Sequence, residues 1–286
     1  METARTADLM LGDKLYQQRA RAALPLLVRQ AFARVPIFYS NLALELAMPN
    51  PRNLNYVLGS VGQTLNALSK QWGIEIPPIQ CLVVNMDTGL PGEGIGLFIK
   101  DTANFRTLPK HRQRLLVNAE LQRVFTFERW PEVLSHFGIH PVLPDFEKVT
   151  QAAASFRGGG ESEQHRRLKE YVAANPRIVD LPSRCAGLLE YPIPSGDSVD
   201  VLFLNGDERI AVEVKSRLSP ESDVVRGIFQ CIKYRAVLEA HDVSLGHPPN
   251  ARAVLVLEGA LPSSLIPLKN MLAVEVIDDV TPTSAG

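Results

Sequence analysis

RIAVEVKSRLS, residues 209–219, alternates Ile210, Val212 and Val214 with Ala211, Glu213 and Lys215. Successive side chains of a strand point to opposite faces of a sheet, so the period of two predicts a strand with its three branched residues on one side. It also sets a carboxylate and an ammonium next to each other on the other side. In the preceding run, SVDVLFL at 198–204, Asp200 interrupts an otherwise apolar strand, and NGDE at 205–208 has the composition of a hairpin turn. Asp200, Glu213 and Lys215 are therefore expected to converge from neighbouring strands.

A charge left unpaired in a buried strand costs on the order of several kcal/mol, so something must compensate. A divalent cation would do so. Hard oxygen donors from Asp200 and Glu213, with a backbone carbonyl next to Glu213, leave Mg²⁺ open positions for water and a phosphate. Lys215 beside the ion can orient or help deprotonate an attacking water, or neutralise charge that builds on the phosphorane.

Around these two strands the second half of the chain predicts the order α-β-β-β-α-β-α-β, a mixed α/β core. ESEQHRRLKEYVAANPRIV, 161–179, opens it as a helix that stops at Asn175-Pro176, because the residue before proline is pushed out of the helical region. GLLEYPIP, 187–194, is a strand, VVRGIFQCIKYRAVLEAH, 224–241, a helix, and ARAVLVLEG, 251–259, a strand. A short helix around 263–272 and a strand at 273–278 complete the order.

These residues resemble the PD-(D/E)xK nuclease superfamily. Asp200, twelve intervening residues and then Glu213-Val214-Lys215 match its metal-binding Asp and its E-x-K, with Val199 where the family usually has Pro. Gln230 and Tyr234, four apart and so on one helix face, look like the Q-x-x-x-Y element of several branches. Over about residues 161–258 the pattern is most similar to the Mrr-like restriction endonucleases and the mismatch-cutting DNA endonucleases. The resemblance implies a restriction-endonuclease-like mixed sheet flanked by helices, with Mg²⁺, for which Mn²⁺ may substitute, held by Asp200 and Glu213. It gives Gln230 the task of positioning the lysine or the substrate backbone, with Tyr234 in support. It also implies a Glu from the helix before the sheet, assigned to Glu163, with Glu161, Glu170 and Glu190 as alternatives. The implied activity is phosphodiester hydrolysis in DNA, in restriction, phage defence or repair. An RNA nuclease and a catalytically inactive DNA-binding regulator or repair adaptor are the alternatives.

TQAAASFRGGGES, 150–162, is small, polar and Gly-rich, which predicts a linker at 151–160 between a domain at 1–150 and one at 161–286. Residues 1–156 carry 16 Lys and Arg against 13 Asp and Glu, whereas residues 157–286 carry 14 against 18. That asymmetry suits a DNA-gripping half joined to a carboxylate-bearing catalytic half. In the first half, YSNLALELAM predicts a short helix capped by Ser40. PRNLNYVLGSVGQTLNALSKQW predicts a longer one, with Asn50 as N-cap, Pro51 at the first helical position and Leu54, Leu58, Val61, Leu65 and Leu68 facing a core.

IQCLVVNMDTGLPGEGIGLFI, 79–99, then predicts two strands around a turn, so that helix, turn, helix and hairpin resemble a mainly helical winged helix-turn-helix. Arg52, Asn53, Asn55 and Gln63 on the second helix, and Lys110 and Arg112 on a later basic one, are the candidate nucleic-acid contacts. The expected partner is double-stranded DNA, with a homodimer as one form that would cut both strands.

At 286 residues, with 45% hydrophobic and 21% charged content, the chain can bury a substantial core. No apolar run approaches the roughly 18 residues of a membrane helix, and the first ten residues lack the apolar core of a signal peptide. Cys81, Cys185 and Cys231 lie far apart and form neither a zinc knuckle nor a disulfide framework. A cytoplasmic protein is expected.

Overall fold

The computed structural model describes residues 6–99, 105–142, 146, 147, 151 and 162–282. The chain divides into two compact units, Met1–Pro144 and Asp145–Gly286. Of the expected linker, only Gln151 is among the described residues.

The first unit is built on α1 (Leu15–Ala33), α2 (Tyr39–Glu45), α3 (Leu54–Trp72), α4 (Lys110–Thr126) and α5 (Trp130–His136). Strand β1 (Ile37–Phe38) pairs in parallel with β2 (Val83–Val84). The five aliphatic residues expected to face a core from α3 all do so, and they pack with Leu24 and Leu27 of α1 and Val117 and Val124 of α4. Asn50 caps the start as expected: its Oδ1 accepts from the Arg52 N–H at 3.0 Å. The cap closes a short 3₁₀ turn, Pro51–Asn53, which runs directly into α3. Ser40 lies inside the first turn of α2, whose N-cap is Phe38.

The mainly helical character expected of this half is present, but the hairpin expected as its wing is not found among the described residues. β2 pairs with β1 instead, and Glu93–Leu97, where the turn expected over 87–94 would pass into the returning strand, winds into a 3₁₀ helix. The physical reason lies in local hydrogen bonding: the Phe98 and Ile99 N–H groups both donate to the Ile95 carbonyl, at 2.9 and 3.2 Å, so they are satisfied within the turn and not by a partner strand, while Ile95 and Ile99 are both buried. Gly96 permits the close approach of Phe105, since a Cβ there would come within 2.8 Å of the Phe105 Cβ.

In the second unit the elements follow the expected order: α6 (Glu163–Ala174), β3 (Leu188–Pro192), β4 (Ser198–Asn205), β5 (Glu208–Lys215), α7 (Glu221–Ser244), β6 (Ala251–Leu257), α8 (Ile266–Met271) and β7 (Glu275–Ile277). They form one five-stranded sheet in the order β3-β4-β5-β6-β7, antiparallel through β5 and parallel beyond it. The β4–β5 hairpin closes with Asn205 opposite Glu208, and Gly206 takes φ +63°, the left-handed conformation that glycine adopts at little cost. Strand alternation divides the core in two. Ile210, Val212 and Val214 pack with Leu168 and Val172 of α6. Ala211 packs with Val224, Val225, Ile228, Cys231, Tyr234 and Leu238 of α7. The sheet is thus covered by α6 on one face and by α7, with Leu268 of α8, on the other, and Glu213 and Lys215 belong to the α7 side.

The first unit also holds a buried ion pair that hydrophobic periodicity does not announce. Arg29 of α1 donates through both terminal nitrogens to Glu45 of α2, at 2.7 and 2.6 Å, with side-chain exposures of 1% and 6%. Removing one partner strands a charge, so Glu45→Ala is expected to destabilise this unit by about 3–5 kcal/mol. Both tryptophans, Trp72 and Trp130, lie in it. Urea unfolding followed by tryptophan fluorescence reads the loss, and a change under about 1 kcal/mol would count against a structural role for the pair.

Candidate active site

The site begins where the sheet forks. Pairing between β4 and β5 runs from Asn205↔Glu208 to Val201↔Val212, a register whose next step sets Asp200 across from Glu213. There the Asp200 side chain enters the ladder, and its Oδ2 accepts the Val214 N–H at 2.9 Å. On the other flank, Leu189↔Val201 and Tyr191↔Val199 bracket Glu190, which has φ +49°. Non-glycine residues rarely take that conformation, which here coincides with the break in the β3–β4 pairing.

Lys215 follows two residues after Glu213 and so shares its face. Its Nζ donates to Glu213 Oε1 at 2.8 Å and lies 3.4 Å from Gln230 Oε1 and 3.2 Å from Asp223 Oδ1, both on α7. The second Glu213 oxygen, Oε2, is 3.2 Å from the Tyr234 hydroxyl. That hydroxyl is also 3.2 Å from the Ser198 carbonyl and accepts from Gln230 Nε2 at 3.1 Å. From the opposite helix, His165 Nε2 stands 3.5 Å from Asp200 Oδ1.

Burial has electrostatic consequences here. Desolvation, then the charge of Asp200, raises the Glu213 pKa to about 7, against the opposing pull of Lys215. Burial draws the Lys215 ammonium down, but Glu213 and Asp223 outweigh it and the net shift is upward. The Tyr234 phenol is raised by burial and then by the Glu213 charge, which keeps it protonated as a donor. His165 is raised by its contact with Asp200.

Asp200, Glu213, Lys215, Gln230 and Tyr234, all expected from sequence, thus form one connected cluster. Glu163 is not part of it. It is exposed and bound to Arg166 at 2.7 Å, which holds its carboxyl below the usual range. Glu170 pairs with the same arginine at 2.7 Å. Glu190 is bound to the buried Lys169 and accepts from the Ser198 hydroxyl at 3.1 Å. Glu161 lies outside the described residues. The residue that α6 offers to Asp200 is His165. The buried stripe of α6, Leu168 and Val172, extended back one turn, falls on His165 and misses Glu163; that periodicity is the signal in the sequence. Asp223 and Gly227 were also missed.

Oxygen donors from Asp200 and Glu213 suit Mg²⁺ or Mn²⁺, and the His165 imidazole beside Asp200 is better placed to orient that carboxylate than to bind such an ion itself. Among the described residues no three His, Cys, Asp or Glu side chains already converge as a cage. In the first unit Arg52, Asn53, Asn55, Lys110 and Arg112 are exposed and Gln63 is half-buried, and Lys110 Nζ donates to Gln113 Oε1 at 3.3 Å. No helix among the described residues is long and apolar enough to cross a membrane.

No protein-family model and no curated protein matches the chain. Two solved structures match part of it. One is described as "Structure of EndoMS-dsDNA2 complex", at 19% identity and a TM-score of 0.32, covering 46% of this chain and 49% of that one. The other is a "crystal structure of a repair endonuclease from Pyrococcus abyssi", at 19% identity and a TM-score of 0.30, covering 45% and 50%. The match spans about half the length of either structure, and the function proposed below rests on the site's own geometry.

A carboxyl whose pKa is raised by folding contributes stability below its unfolded value, near 4.5, and loses it as pH climbs through about 7. Without divalent metal, the melting temperature of Glu213→Gln minus that of the unsubstituted protein is therefore expected to grow between pH 4.5 and 8. Calorimetry across that range checks it, and a flat difference would mean that folding does not raise the Glu213 pKa.

Proposed function

We infer that this chain is a metal-dependent endonuclease that hydrolyses phosphodiester bonds in double-stranded DNA, in repair or in restriction-type phage defence. The observation that supports this best is the convergence of Asp200, Glu213 and Lys215 at a fork in the sheet, locked from α7 by Gln230 and Tyr234. Asp200 and Glu213 would hold Mg²⁺ or Mn²⁺, with His165 orienting Asp200 from α6. When bound, the ion would supply Lewis-acid polarisation of a phosphoryl oxygen and acidify a water.

The protein's own groups do the rest. Lys215 Nζ orients the water and neutralises charge building on the phosphate oxygens, which matters most in a site of low dielectric. Gln230 fixes the lysine head, and the protonated Tyr234 phenol fixes the orientation of Glu213. Arg52, Asn53, Asn55, Gln63, Lys110 and Arg112 are the contacts proposed for the DNA backbone and groove edges.

Nicking of supercoiled plasmid with Mg²⁺ or Mn²⁺ tests the chemistry. Asp200→Ala and Lys215→Ala are each expected to lower the rate by about 10²–10³-fold or more while DNA binding is retained. Cutting that persists in both variants would remove the proposal. Binding without scission under either metal would leave an inactive DNA-binding protein, and preference for RNA in a side-by-side digest would move the substrate class.

The grip has its own test. Arg52→Ala and Arg112→Ala are each expected to weaken DNA binding uniformly across sequences and to reduce the salt slope of binding by about 1. An unchanged slope in both would place the interface elsewhere.

A further inference from the structure

The Lys215 ammonium donates to Glu213 Oε1 at 2.8 Å and Gln230 Oε1 at 3.4 Å and forms an ion pair with Asp223 Oδ1 at 3.2 Å. Glu213 and Gln230 belong to the motif seen in the sequence. Asp223 does not. It stands in the first turn of α7, where its N–H donates to the Pro220 carbonyl at 2.9 Å, so the start of the helix fixes its position. One turn further on, Gly227 clears the path of the lysine stem. A Cβ there would lie 3.1 Å from Lys215 Cε and 2.8 Å from Leu255 Cδ1. The stem passes over the bare backbone of α7 and its head reaches Asp223.

Charge gives this contact a purpose. With Asp200 and Glu213 alone, Lys215 cancels half of the negative charge that a cation would meet. With Asp223 included, three carboxylates against one ammonium leave two negative charges, the complement of one divalent ion.

On the nuclease function inferred above, on which this rests, we propose that Asp223 is a positioning residue: it holds Lys215 Nζ from the α7 side and offsets its charge, so that Asp200 and Glu213 remain strong donors to the metal ion. The competing explanation is a generic acidic residue at a helix N-terminus, which stabilises the helix whatever lies nearby. Glu221 separates the two. It occupies the same turn but is bound to the Ser264 hydroxyl at 2.7 Å, away from the lysine.

The test is a Mn²⁺ titration of the full chain, followed by the paramagnetic resonance signal of free Mn²⁺, with melting temperatures and single-turnover plasmid nicking on the same samples. Asp223→Asn is expected to raise the Mn²⁺ dissociation constant about tenfold or more. It should also slow nicking at saturating DNA while leaving DNA affinity unchanged. Asp223→Glu should recover most of both, Asp223→Ser should behave like Asp223→Asn, and Glu221→Gln should change neither. Unaltered Mn²⁺ affinity in Asp223→Asn and Asp223→Ser, with a melting loss equal to that of Glu221→Gln, overturns the proposal and leaves the nuclease function standing. An unsubstituted protein that neither binds Mn²⁺ nor cuts DNA overturns both.

Discussion

The second unit is organised around a buried ion pair that would be a poor investment in isolation. Lys215 and Glu213 lie two residues apart on the central strand, almost wholly withdrawn from water. Desolvating two charges costs several kcal/mol each in order of magnitude, and their attraction alone rarely offsets it. The pair persists because each remaining donor and acceptor is met: Asp223 and Gln230 on the ammonium, Tyr234 on the carboxylate, Asp200 close by on the next strand. A cluster assembled at this cost on one sheet face is more economically explained by chemistry than by stability, since well-packed apolar residues would serve stability as well or better.

The rest of the unit makes that cluster affordable in structural terms. The opposite face of the same strand carries Ile210, Val212 and Val214 into a core with α6, so the strand is anchored by its apolar side while the polar side remains available. The parallel crossover from β5 through α7 to β6 lays a 24-residue helix over the polar face and delivers Asp223, Gln230 and Tyr234 along its length. The fork at Asp200 then opens the sheet at a point where a side chain replaces a backbone partner. Strain at Glu190 and the buried Lys169 that binds it belong to the same local departure from regular pairing.

The first unit largely follows ordinary packing rules, and two exceptions stand out among its described residues. Its helices bury the aliphatic stripes that their spacing announces, and Trp130 is tied into the core by its indole N–H, which donates to the Val124 carbonyl at 2.9 Å. One exception is the Arg29–Glu45 pair, a bidentate contact whose two residues look unrelated in sequence. The other is the 79–99 stretch. Its apolar runs and glycines suggest a hairpin, but burial of Ile95 and Ile99 on one side of a tight turn of helix satisfies them differently.

Local periodicity and turn chemistry determined the order of elements in the second unit, the hairpin at Gly206, the two faces of β5, and the cluster of Asp200, Glu213, Lys215, Gln230 and Tyr234. Each of those depends on separations of a few residues or on a single tight turn, where chain geometry leaves little choice. Long-range placement decided the rest. Whether Glu163 or His165 faces Asp200 depends on how α6 is rotated against the sheet, which its buried stripe of Leu168 and Val172 sets and which a count of acidic residues ignores. Asp223 and Gly227 gained their roles only when α7 was laid across β5, because a contact between a helix start and a strand end is invisible until the crossover closes.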